Sequence, residues 1–225
     1  MSESSHAICA IAIDADALTL TLRDGRVLRE PLGRHIRLEK ATPAQRLQWV
    51  LVDDGHGLDW PALWPASKDG MVNVFTLCWE QLQDEGIAAL KAADWKLDAL
   101  PWREQQLSAL WRLEADVNNG GFLQFFCNWG EATCRTAIAA LADIGALQMH
   151  SLVQRMRAVL DRLDGSPQLQ ALMNLHQQLT PAEQDALEAL DQAFWTYPDR
   201  LPKLGVLHYG RASPPGPVSQ SGTGA

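Results

Sequence analysis

The stretch EADVNNGGFLQFFCNWG, residues 114–130, decides how the second half of the chain is read. Two asparagines and two glycines separate a run with helical spacing from a tight set of aromatics, so one helix is expected to end here and another to begin. On a wheel of about 100° per residue, Leu107, Leu110, Trp111 and Val117 share one face, and Glu114 and Asn118 fall on it as well. A core-facing carboxyl has to be hydrogen-bonded or protonated. The nearest unpaired donors are the backbone N–H groups of the turn at 119–122, which Glu114 is therefore expected to pin. Glu114, Asn118, Asn119, Gly120, Gly121 and Phe122 thus form a structural motif. Gly120 or Gly121 takes the left-handed position, and Phe122, Phe125, Phe126 and Trp129 supply a core stripe.

Working outward, Phe75, Cys78, Trp79, Leu82, Ile87 and Leu90 already recur at helical spacing. Further helices are expected near 102–118, 121–129, 131–144, 147–163 and 181–196, the last opened by Thr180 as N-cap, Pro181 at the first position and Glu183 at the third. Upstream of Val72 the period is two. ICAIAID, ALTLTLRDG and RVLREPL, with turns at 14–16 and 24–25, read as a β-meander. A short helix opened by Thr42 and Pro43 follows, then a last strand and the turn-rich DDGHGLDWPALWP. The expected class is α+β: a small β-rich α+β domain over 1–70, an all-α domain over 71–210, and a Pro-, Gly- and Ser-rich tail over 211–225 that should be disordered.

A net charge of −8 over 225 residues argues against direct nucleic-acid or anionic-membrane binding. No basic leader and no apolar run near the roughly 20 residues of a spanning helix is present, so a cytoplasmic protein is expected. Cys9, Cys78, Cys127 and Cys134 form no C-x-x-C pair and read as reduced, mostly buried thiols. The six histidines are scattered singly, which offers no metal site. His56, between Gly55 and Gly57, reads as an exposed turn residue, with a ligand or partner contact as the alternative. There is no P-loop, nucleophile elbow or dinucleotide fingerprint, so no cofactor is expected and no catalytic residue is assigned. Cys127 lies in the aromatic stripe, where a thiol is inert. Glu114 is the best single acid, since a core-facing carboxyl has a raised pKa. The enzyme alternative is a hydrolase or transferase using Glu114 beside the turn at 118–121.

The acidity is unevenly placed. From Cys78 to Leu201 there are 17 Asp and Glu against 9 Lys and Arg, while the first 77 residues hold 10 against 8. Asp94 with Asp98, Asp161 with Asp164, and Asp185, Glu188 and Asp191 are spaced three or four apart, as on one face of a helix.

EADVNNGGFLQFFCNWG, followed by AIAALADIGA and ALEALDQAFWTYPDRL, resembles the acidic all-α bacterial family that includes a neisserial DNA-mimic protein, over about Trp79 to Leu201. The resemblance implies a non-enzymatic, protein-binding regulator and a homodimer. Its acidic surface, here Asp94, Asp98, Asp161, Asp164, Asp185, Glu188 and Asp191, would engage a basic partner such as a transcription factor. The N-terminal part is similar to a small bacterial domain of unknown function with a G-x-G-[IL]-x-W-P signature, here Gly55, Gly57, Leu58, Trp60 and Pro61. That similarity hints at regulation and names no reaction.

Overall fold

The computed structural model describes residues 3–172 and 174–210; the tail expected to be disordered lies outside the described residues. The chain divides into two compact units. Among the described residues, one contains those up to Met71 together with 206–210, and the other is Val72–Gly205.

In the first unit, β1 (Ile8–Ile13), β2 (Ala17–Leu22) and β3 (Val27–Pro31) form an antiparallel sheet in chain order, the meander that the period-two pattern predicts. Leu18, Leu20 and Leu22 on β2 are fully buried while the threonines between them are not, as alternation requires. Asp14 shapes the first turn by accepting from the backbone N–H of Asp16 and Ala17 at 2.8 and 2.7 Å, which holds its carboxyl below the usual range. Two short helices follow, α1 (Ile36–Lys40) and α2 (Pro43–Arg46), and α2 opens with the capping box of Thr42 and Gln45. Arg46 donates to the carbonyls of Leu38, Glu39 and Ala15, tying both helices to the first turn. β4 (Val50–Val52) pairs antiparallel with β5 (Gly57–Asp59). The turn-rich segment therefore contains a strand that sequence reading missed.

The second unit is helical: α3 (Val74–Ala92), α4 (Trp102–Asp143), α5 (Leu147–Ala158), α6 (Pro167–Ala171), α7 (Leu175–Gln178) and α8 (Pro181–Trp195), with α9 (Leu201–Tyr209) crossing into the first unit's share of the chain. α4 is three helical pieces in succession, interrupted at Gly120 (φ −159°), Gly121 (φ 82°) and Gly130 (φ 73°). The pieces correspond to the helices expected at 102–118, 121–129 and 131–144. α8 carries the expected capping box, Thr180 with Glu183. α5 stops at Ala158 rather than near 163, and a 3-10 turn at Asp161–Leu163 replaces its expected last turn. Leu107, Leu110, Leu113, Val117, Phe122, Phe125, Phe126, Met149, Val153 and Phe194 have no accessible surface and form the core. α1, α6 and α7 were not anticipated, because helices of four or five residues are too short to show a period.

Candidate functional site

The break in α4 interrupts the longest helix of the second unit. Gly121 at φ 82° occupies backbone space that side-chain-bearing residues avoid, and a Cβ there would sit 2.3 Å from Asp191 Oδ2. In an unbroken helix Phe122 N–H would donate to residue 118 and Val117 C=O would accept from residue 121. Here Asp191 Oδ1 accepts from Phe122 N–H at 2.9 Å, and Trp195 Nε1 donates to Val117 C=O at 2.9 Å. The last two turns of α8 thus serve both groups at the interruption. Two residues past Trp195, the Tyr197 hydroxyl receives Asn118 Nδ2 at 2.6 Å, and Asp199 Oδ2 caps the start of α5 through Met149 N–H at 2.8 Å. ALDQAFWTYPDRL and VNNGGF are accordingly one site built from two distant segments.

Glu114 lies one turn before this break. Its Oε2 accepts from Trp79 Nε1 at 2.8 Å and Gln83 Nε2 at 2.6 Å, both on α3, and Tyr197 hydrogen-bonds to it as well. Burial pushes the carboxyl up to about 7, against the opposing pull of these three donors. The residue as a whole keeps some accessible surface. The expectation that Glu114 pins the backbone at 119–122 is overturned: side chains donate to its carboxyl, and Asp191 takes the turn. Asn118, expected to face the core, is exposed, as are Asn119 and Gly120.

A second cluster was not foreseen. Asp116 accepts from Gln124 Nε2 at 2.8 Å, from Asn128 Nδ2 at 3.2 Å and from Trp129 Nε1, all beyond the break. The Arg112 guanidinium stacks over Trp129 with 3.9 Å to the ring centroid, and burial lowers its pKa although Asp116 opposes the shift. No single helical wheel brings 116 to 124, 128 and 129, because the interruption resets the phase. Burial shifts the thiols of Cys127 and Cys134 upward, Cys134 to about 12, which disfavours the thiolate form at both; Cys78 is buried as expected, but Cys9 is exposed.

The seven acids assigned to a surface are not equivalent. Asp161 and Asp164 do not sit on an α-helix but on the 3-10 turn after α5 and at its end; they converge with Glu131 on the largely buried Arg157, at 2.9, 2.6 and 2.6 Å. Burial alone would lower Arg157, but its bonds to Glu131 and Asp164 outweigh that and raise it. Asp191 is the cap described above, and burial raises its carboxyl despite the Phe122 N–H. Asp94 has φ 54° in the loop after α3 and lies 3.5 Å from Lys96, while Asp98 belongs to a 3-10 turn, so these two share no helix face. Asp98, Asp185 and Glu188 are exposed and have no ion pair among the described residues.

In the first unit the Gly55 to Pro61 run is structural. A Cβ on Gly57 would come 2.4 Å from Asp69 C=O, Leu58 and Trp60 are buried, and Trp60 Nε1 donates to Arg46 C=O at 2.8 Å. Gly55 has φ 86° and Pro61 is exposed. His56 is buried rather than exposed, its ring nitrogens 2.8 Å from Asp53 C=O and 3.1 Å from Glu3 C=O. No helix of the described residues is long and apolar enough to cross a membrane, and none of them cluster as a metal-binding group of three or more His, Cys, Asp or Glu.

Residues 8–63 match the family described as a protein of unknown function (DUF2442). No curated protein and no solved structure gives a significant match. Residues 98–212 match the family model described as DMP19-like protein, a span that includes the α4 break, the Asp116 cluster and both tertiary caps from 191–199. With half of its length matched, the chain belongs to the DMP19-like protein family.

Proposed function

We propose that this protein acts by binding rather than by catalysis, its helical unit engaging a basic partner such as a DNA-binding protein and competing with DNA for it. Membership of the DMP19-like family carries this reading. The charge of the helical segment supports it, 17 acids against 9 bases between Cys78 and Leu201. The acids available for a partner are fewer than that count suggests, because Asp161, Asp164 and Asp191 hold the fold together. Asp98, Asp185 and Glu188 are the residues to neutralise first.

A partner captured from cytosol by the intact protein should leave as salt shortens the Debye length from about 10 Å at 0.1 M toward about 3 Å at 1 M, and duplex DNA should displace it. Joint replacement Asp98→Asn, Asp185→Asn and Glu188→Gln should weaken capture without lowering the melting temperature. A partner retained in high salt and undisturbed by duplex DNA would overturn this reading.

A second reading rests on one observation, the Glu114 carboxyl near 7, which suits a general acid at neutral pH. Three donors already surround that carboxyl, which supports a structural role instead. Glu114→Gln that abolished a hydrolytic or transfer activity while leaving partner capture intact would favour the enzyme.

A further inference from the structure

In the first unit a cavity of about 250 Å³ is lined by Arg34, His35, Ile36, Arg37, Trp64 and Met71. Ile36 and Trp64 are 59% and 45% exposed, so the apolar wall is open to solvent. The Arg37 guanidinium carbon sits 3.3 Å from the Trp64 ring centroid. At that separation only a guanidinium parallel to the indole avoids a clash, so its N–H groups lie in a plane directed off the ring edge. One of them is given to Leu63 C=O at 3.2 Å. No carboxylate among the described residues pairs with Arg37, in a chain where acids outnumber bases 27 to 19.

The charges beside it differ. Arg34 and His35 both lie on the buried carboxylate of Glu30, at 3.1 and 2.8 Å. Arg37 is therefore the cation that the cavity offers, a single positive charge held flat on an aromatic ring beside two further apolar side chains. A fixed planar fork matches a carboxylate bidentately, and one charge balances a monoanion rather than a phosphate dianion. The volume admits a ligand of side-chain size, below the range of drug-sized sites.

We propose that this cavity binds a monoanionic carboxylate carrying a compact apolar or aromatic group, with Arg37 as the carboxylate clamp and Trp64, Ile36 and Met71 as the apolar wall. The carboxylate is that of a free organic acid or of a protein C-terminus ending in an apolar residue. This site is independent of the acidic surface of the helical unit.

Titration of the full chain with benzoate, followed by the indole N–H resonance of Trp64 assigned through Trp64→Phe, tests the proposal. Saturable shifts are expected with benzoate, and at least tenfold weaker ones with the neutral benzamide. Arg37→Gln should weaken benzoate at least tenfold, and Arg37→Lys should weaken it several-fold, because the charge survives but the fork is lost. A tripeptide ending in Phe that binds more tightly than benzoate, and loses binding on amidation, would assign the site to a protein C-terminus; equal affinity of the two acids would assign it to a free acid. Equal binding of benzoate and benzamide, unchanged benzoate binding in Arg37→Gln, or no shift with any of these probes would overturn the proposal.

Discussion

Glu114 shows how one side chain links stability to pH. Its carboxyl is raised from 4.5 to about 7 in the folded chain, so between those values the folded state holds a proton that the unfolded state has released. Its contribution is complete below about pH 4.5 and is lost as pH rises through 7, a difference of roughly 3 kcal/mol. Glu114→Gln should remove this dependence: in urea titrations at pH 5 and pH 8, the parent should lose more stability on going to pH 8 than the variant, by up to that amount. Equal losses would show that the carboxyl is not desolvated. Glu114→Ala should cost about 1–3 kcal/mol at pH 5, because Trp79 Nε1 and Gln83 Nε2 lose their acceptor. That Glu114 faces inward was legible from its helical phase with Leu107, Leu110 and Val117. Its partners were not, because Trp79 and Gln83 lie on another helix and Tyr197 beyond a third.

At the scale of elements, the interruption of α4 was legible because consecutive glycines and asparagines punctuate a helical pattern. What it docks against was not, since a cap drawn from a helix 69 residues away leaves no local signal. Gly121→Ala places a Cβ at φ 82° and 2.3 Å from Asp191 Oδ2, and should destabilise the fold by more than about 2 kcal/mol. Asp191→Ala removes the cap of Phe122 and should cost about 1 kcal/mol. Their double variant should lose less than the two costs combined, because the alanine at 121 no longer meets a carboxylate, with a coupling of about 1 kcal/mol in denaturant titration. Strict additivity would show that the two positions are not in contact in solution. The short helices α1, α6 and α7 escaped notice for a different reason: each is about one turn, too short to show a period, and only α6 opens with a side-chain cap, Ser166.

For the whole molecule, the change from period two to helical spacing marks where the two units part, between Met71 and Val72. A fragment over 72–210 should show a helical circular-dichroism spectrum and a cooperative urea transition, since its core of leucines and phenylalanines lies within 72–205. A fragment that stayed unfolded would show that the β-rich unit completes that core. The charge asymmetry was visible in composition, but the division between acids that bond within the fold and acids left exposed was not, because pairing at Arg157 depends on how the chain turns after α5 and on where Glu131 of α4 meets it. The distance along the chain between Gly121 and the end of α8 has a further consequence during synthesis. The ribosome delivers the glycine turn some 70 residues before Asp191 and Trp195 exist to close it. Until then the hinge stands open, with an idle donor at Phe122 and an idle acceptor at Val117. A chain that ends before α8 is therefore expected to be cut by proteases near this turn more readily than the full chain, because the side chains that close it come from the very end of the helical unit.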